Sequence, residues 1–137
     1  MFPCKAAWVT LPISNKSHQG AFIMAMLEDK VAFITSGASG IGLGTAKRFA
    51  QEGARMVLAD LAEQQQEGEA AVRAIEASGG KALFIICDIS QAAPVQDAIA
   101  RTVQQYGKLD IVFANAGING VSAPLDELTP EEWDTTL

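Results

Sequence analysis

The sequence predicts an α/β fold built on a doubly wound parallel sheet with helices over both faces. Two observations carry this expectation. Short apolar runs alternate with longer stretches of helical periodicity through brief polar or glycine links, and such alternation makes right-handed β-α-β units. One stretch then joins all the parts in direct succession: Val31-Ala32-Phe33-Ile34-Thr35-Ser36-Gly37-Ala38-Ser39-Gly40-Ile41-Gly42. An apolar strand breaks into a glycine-rich turn that opens a helix. That order suits a buried parallel strand feeding a helix whose free N–H groups and partial positive charge face outward, where a pyrophosphate is a natural guest.

The remaining elements follow in order. Gly42, Ala46, Phe49 and Ala50 recur at helical spacing, with Lys47, Arg48, Gln51 and Glu52 facing away, and Gly53 sits where a helix C-terminus wants it. Arg55 to Ala59 reads as a second strand ending at Asp60. Leu61 to Ser78 reads as a polar helix with Ala71, Val72 and Ile75 inward, stopped by Gly79-Gly80. Ala82 to Cys87 is a third, buried strand, closed by Asp88-Ile89-Ser90. Val95, Ala98, Ile99, Thr102, Val103 and Tyr106 form the inward stripe of the next helix, which tolerates Pro94 in its first turn and stops at Gly107. Ile111 to Ala114 is a fourth strand running into Asn115-Ala116-Gly117, and it reads as an apolar sheet edge with no proline or charge to blunt it.

Thr129-Pro130-Glu131-Glu132-Trp133 carries a capping threonine, a proline at the first helical position and a glutamate placed to complete a capping box, with Leu128 and Trp133 spaced as a staple. A helix initiated this well is expected to run beyond Leu137, so the sheet is read as truncated after its fourth strand and the start of the next helix.

The 137 residues suffice for one domain, and 49% hydrophobic with 19% charged residues describes a globular chain. A net charge of −6 without a basic patch argues against nucleic acid and anionic membrane as partners. No apolar run approaches the roughly 20 residues that span a bilayer. Cys4 and Cys87, far apart in sequence, suit a reduced, cytoplasmic protein. Residues 1–27 lack Asp and Glu and are broken by prolines and Gly20; they read as a loosely ordered extension, with Met24 and Met26 as possible internal starts. The folded pattern occupies residues 28–137. His18, the only histidine, has no partner of metal-ligand type nearby, and no metal site is expected.

From about Glu28 onward the chain resembles the N-terminal half of a short-chain dehydrogenase/reductase. The glycine turn Thr35 to Gly42, the acid Asp60, the Asp88-Ile89 pair and Asn115-Ala116-Gly117 stand in that family's order at element boundaries. The resemblance implies a Rossmann-like fold, a nicotinamide dinucleotide and hydride transfer with a small-molecule alcohol or carbonyl substrate. It places Ser36, Gly37, Ser39, Gly40, Ile41 and Gly42 against the pyrophosphate side of the cofactor. Asp60, with Leu61 beside it, would accept hydrogen bonds from the adenosine ribose; a carboxylate there repels a 2′-phosphate, which favours NAD over NADP. Asp88 would meet the adenine amino group and Ile89 its ring; the alternative is that Asp88 caps the following helix, and the two can hold together. Ala116 and Gly117 would leave the cofactor room while Asn115 ties the turn to its neighbours.

Two departures accompany the resemblance. The family has glycine where Ser36 follows Thr35; if that position takes a positive φ the serine is strained by about 1–2 kcal/mol, the alternative being that Gly37 absorbs the turn. The family's acid–base tyrosine and lysine, its substrate-orienting serine and its relay asparagine would all fall beyond Leu137. Tyr106 is the only tyrosine, and the fourth residue after it is Asp110, so no catalytic residue is expected in this chain. The favoured expectation is therefore an NAD-dependent dehydrogenase represented by part of its length, inactive alone and homo-oligomeric only in a longer form. The alternatives are a short product that merely binds a dinucleotide and an inactive fragment.

Overall fold

The computed structural model describes residues 25–136. Cys4, His18, Met24 and nearly all of the expected N-terminal extension lie outside the described residues. The elements run β1 (Val31–Thr35), α1 (Gly40–Gln51), β2 (Arg55–Asp60), a 3₁₀ turn (Ala62–Gln64), α2 (Gln65–Ala77), β3 (Lys81–Ile86), α3 (Ala92–Tyr106), β4 (Ile111–Phe113) and α4 (Pro130–Thr136). The four strands are parallel in the order β3-β2-β1-β4. This is the doubly wound, Rossmann-like arrangement that the alternation of elements predicts.

Period-two alternation divides the core between the two faces of the sheet. Ala32 and Ile34 of β1 and Met56 and Leu58 of β2 point to one face, where Ala46 of α1 and Ala71 and Ile75 of α2 meet them. Phe33, Val57 and Ala59 point to the other, joined there by Ile85 of β3 and by Cys87, and Ala98 of α3 closes over them. Both central strands are almost wholly buried, so their sequences are runs of apolar residues and not alternations. Gly68 belongs to the inward face of α2, because a Cβ there would strike the Phe84 ring.

Several boundaries and exposures differ from expectation. The segment after Asp60 begins as a 3₁₀ turn and becomes α-helical only at Gln65. The third strand is a sheet edge and only partly buried, with Ile86 48% exposed. Of the predicted α3 stripe, Ala98 and Thr102 are buried, but Ile99 and Val103 are exposed. The covering on their side of the sheet stops short of β4: Val112 pairs with the buried Phe33 yet is 59% exposed. β4 is thus the apolar edge that the sequence predicts. The capping box forms, with the Thr129 N–H donating to Glu132 Oε2 at 2.8 Å and the Glu132 N–H donating to Thr129 Oγ1 at 3.2 Å. No helix among the described residues is long and apolar enough to cross a membrane.

The β1–β4 ladder has only three paired positions, and side chains reinforce both ends of it. At the amino end the Asp110 carboxylate accepts the Val31 N–H at 2.8 Å and lies 3.0 Å from Lys108 Nζ. The Val31 hydrogen bond, followed by Lys108, holds the Asp110 carboxyl below the ordinary carboxylate range. A carboxyl whose folded value is depressed contributes stability that is complete above the unfolded value, near 4, and is lost as pH falls through the lower folded value. Asp110→Asn is therefore expected to melt below the parent at neutral pH, with the gap closing as pH drops below about 4. Thermal melts across pH 3 to 7 check this, and a gap independent of pH would rule it out.

Candidate functional site

The chain leaves β1 toward β2 and β3 on one side, then returns through α3 to place β4 on the other. Strand order reverses between β1 and β4, and open α/β sheets receive ligands outside the carboxyl ends of their strands at such a switch point. The residues singled out in the sequence lie at this end of the sheet.

The turn after β1 is built by backbone constraints that differ from one residue to the next. Ser36 takes φ +49, so the serine itself occupies the left-handed region and Gly37 does not relieve it. The cost is about 1–2 kcal/mol for a residue of this type. Gly37 is required for space, since a Cβ would lie 3.1 Å from Leu58 Cα and 3.2 Å from the Ile34 carbonyl oxygen. Gly40 is required for its φ of +53, with open space where a Cβ would stand. Gly42 is required for packing: a Cβ there would strike the Ser36 carbonyl oxygen and come within 2.8 Å of Asn115 Nδ2. Ser39 occupies the cap position of α1 in extended backbone, but its side chain bonds no helix N–H and no acidic residue follows in the first turn. The amino end of α1 therefore has no anionic group of its own, and Ser39, Gly40 and Ile41 are exposed there.

The turn is fastened to β2. The Gly37 N–H donates to the Ala59 carbonyl at 3.2 Å and the Ala38 N–H donates to Asp60 Oδ2 at 3.1 Å. Asp60 Oδ1 accepts the Leu61 N–H at 3.0 Å, so each carboxylate oxygen already holds one amide while the residue is only 8% exposed. On the other side the Asn115 and Ala116 N–H groups both donate to Thr35 Oγ1 at 2.9 Å. The Asn115 amide nitrogen donates to the Thr35 carbonyl at 3.1 Å, with a longer contact to the Ser36 carbonyl at 3.4 Å.

A pocket of about 280 Å³ opens between these fastenings. Ser36, Asp60, Leu61, Ile89, Ala116 and Gly117 line it. Cys87 and Ile118 complete the wall and are not among the expected cofactor-binding residues, although the resemblance sets the loop from Ile118 to Leu125 at the edge of the site. The sequence ends the third strand at Cys87, whereas β3 ends at Ile86 and Cys87 follows it; the Cys87 N–H donates to the Asp60 carbonyl at 2.8 Å, which sets it beside the acid. Burial, then Asp88 and Asp97, pushes its thiol up, leaving it a neutral wall residue. Asp88 is exposed, does not line the pocket and does not cap α3, whose cap position is Gln91. Its Oδ1 accepts the Ser90 N–H at 2.9 Å in a local turn, and the Ser90 hydrogen bonds hold its carboxyl below the usual range. Tyr106 lies at the opposite end of the sheet, packed on the α3-side core, its phenol pushed up by burial and then by Glu76. A larger groove, of about 590 Å³, follows the β3 edge between α2 and α3 and includes none of the residues singled out.

A family model described as short chain dehydrogenase matches residues 30–137. The chain is 40% identical over 114 residues to a 3beta-hydroxysteroid dehydrogenase of Mediterraneibacter gnavus, covering 83% of this chain and 41% of that protein. A crystal structure of a dehydrogenase/reductase from Sinorhizobium meliloti superposes with a TM-score of 0.75 at 40% identity, covering 81% of this chain and 43% of that one. NAD+-bound xylitol dehydrogenase superposes with a TM-score of 0.73 at 29% identity, over 81% of this chain and 42% of its own. The chain spans less than half the length of each.

Two glycines two residues apart are expected to respond in opposite senses. Gly42→Ala should cost about 1–3 kcal/mol through the clash with the Ser36 carbonyl. Gly44→Ala, in open helix surface, should gain about 0.5–1 kcal/mol. Denaturant unfolding of both variants checks the contrast, and equal effects would show that Gly42 is not confined.

Proposed function

The chain belongs to the short-chain dehydrogenase family, and from that premise we propose that it supplies the dinucleotide-binding portion of an oxidoreductase acting on a small-molecule alcohol or carbonyl compound. The observation that carries the reading is the buried Asp60 carboxylate, held by the glycine turn at the sheet's switch point and facing the pocket. Bound there, a nicotinamide dinucleotide supplies a hydride donor or acceptor. The residues present suit such a group. The amino end of α1 has no capping side chain or acid to compete with a pyrophosphate, and a Cβ on Gly117 would meet nothing within 4 Å.

Each residue then has a defined task. Asp60 spends one lone pair per oxygen on Ala38 and Leu61 and keeps the others for ribose hydroxyl protons. Its negative charge disfavours a 2′-phosphate, which supports NAD over NADP. Gly40, Ile41 and Ser39 present the helix amino end to the pyrophosphate, while Gly37 and Gly42 keep the turn close to β2 and Asn115. Leu61 and Ile89 offer apolar walls to the adenine base, while Asp88, which the family resemblance sets against the adenine amino group, lies outside the pocket lining and holds the Ser90 N–H instead. Asn115 fixes the β4 exit, and Ala116 and Gly117 keep it slim.

The proton-transfer half of the reaction has no residue in this chain. Tyr106 is remote from the pocket and has no lysine four residues on. The 137-residue chain alone is therefore expected to bind NAD without oxidising any alcohol, as followed by reduced-nicotinamide absorbance; turnover by the pure chain would refute this. Titration calorimetry tests the cofactor assignment. Asp60→Ala should weaken NAD by about ten- to a hundredfold, the worth of hydrogen bonds to a charged group, and shift the preference toward NADP by relieving the repulsion of its 2′-phosphate. An unchanged NAD-to-NADP ratio would remove Asp60 from this role.

A further inference from the structure

Ser36 is held in a backbone conformation that serine disfavours, and its side chain gains nothing visible from the protein in return. Among the described residues only Asp29 and Ser36 are non-glycine positions with positive φ. Aspartate visits that region comparatively readily; serine has no such excuse. An outlier of this kind points to a function for the side chain. The serine carbonyl is accounted for, abutting Gly42 and accepting from Asn115. The hydroxyl has no hydrogen-bond partner among the described residues, and Ser36 lines the 280 Å³ pocket with Asp60.

The chemistry of the pocket wall sharpens the point. A carboxylate can only accept, so Asp60 satisfies the protons of a ribose diol but not the lone pairs of its oxygens. Leu61, Ile89 and Ile118 offer no polar group, and Cys87 offers a buried thiol, a weak donor. Ser36 contributes the one hydroxyl donor on the wall. Its position relative to the acid is set by the two bonds that fasten the turn to β2, Gly37 to Ala59 and Ala38 to Asp60. We infer that the Ser36 hydroxyl and the Asp60 carboxylate act as a donor–acceptor pair that reads the ribose diol of the bound nucleotide, with Ser36 donating to a ribose oxygen. This rests on the dinucleotide reading above and adds a ribose-selecting residue to it.

The test uses the 137-residue chain, ADP-ribose, ADP and 2′,3′-dideoxyadenosine diphosphate as probes, and two variants. Ser36→Ala keeps the Cβ and the backbone strain but lacks the hydroxyl. It should melt like the parent and bind ADP-ribose about three- to tenfold more weakly, the worth of one neutral hydrogen bond. Ser36→Gly removes hydroxyl and strain together, and should melt at the same temperature or higher while also binding more weakly. ADP should show the Ser36→Ala loss, and the dideoxy analogue should not. Variants that bind as tightly as the parent, or a glycine variant that binds more tightly, would overturn the inference and leave Ser36 a strained turn residue. A loss that persists with the dideoxy analogue would overturn it too, by placing the hydroxyl on phosphate. A parent chain that binds no ADP-ribose would sink the dinucleotide reading itself, an outcome distinct from the others.

Discussion

Two backbone amides, from Asn115 and Ala116, converge on the hydroxyl of Thr35, and the geometry of the site depends on that junction. The ladder between β1 and β4 spans only three positions, too few to hold the carboxyl ends of the two strands in register alone. Thr35 can accept both amides because it ends a strand buried on both faces, where its side chain has no freedom to leave. The Asn115 amide then reaches back to the Thr35 and Ser36 carbonyls. A mirror of this arrangement closes the amino end of the same pair through Asp110 and Val31. Side chains thus extend a short ladder at both ends, and the pocket opens where the upper extension stops.

The glycine turn is best understood as three separate constraints. Gly40 answers a backbone angle, Gly37 a close approach to β2, and Gly42 a close approach to the Ser36 carbonyl. Only the first concerns conformational freedom; the other two concern volume. Two of the three therefore serve the protein's own packing, and the space they leave is filled by Leu58, the Ile34 and Ser36 carbonyls and Asn115. The same close fit brings the Ala38 amide onto Asp60, so the turn and the acid are one unit. A buried carboxylate with both oxygens already bonded is held in one orientation, so its charge has a fixed place at the pocket.

The edges of the sheet are less complete than its centre. β3 and β4 are both edge strands, and Ile86, Val112, Ile99 and Val103 keep apolar surface exposed. The chain covers less than half the length of the relatives named above, and the open apolar surface lies at both edges of the sheet, with Ile86 on β3 and Val112 on β4. The pocket at the switch point, by contrast, is lined entirely by residues between Ser36 and Ile118.

Strand and helix identities, the parallel sheet and the line-up of Asp60, Ile89 and Asn115 at strand ends were all legible in the sequence. They follow from local rules: buried strands are apolar runs, glycines end helices, and motif residues sit at element boundaries. What remained hidden depends on neighbours distant in sequence. No local pattern says that Asp88 would close a turn on Ser90 and leave the cap of α3 to Gln91, because both outcomes use the same residue types. Nor does helical periodicity reveal that Ile99 and Val103 lack a covering layer, since it reports which face is apolar and not what lies above it. Cys87 joined the pocket wall only through the hydrogen bond from its N–H to the Asp60 carbonyl, a contact between segments distant in sequence. Sequence alone determined the fold and the residue types of the site, through local backbone preference and hydrophobic period. Tertiary structure decided the rest, that Ser36 carries the left-handed angle and that Ala38 holds Asp60, because both follow from how tightly the turn must fold against β2 and β4.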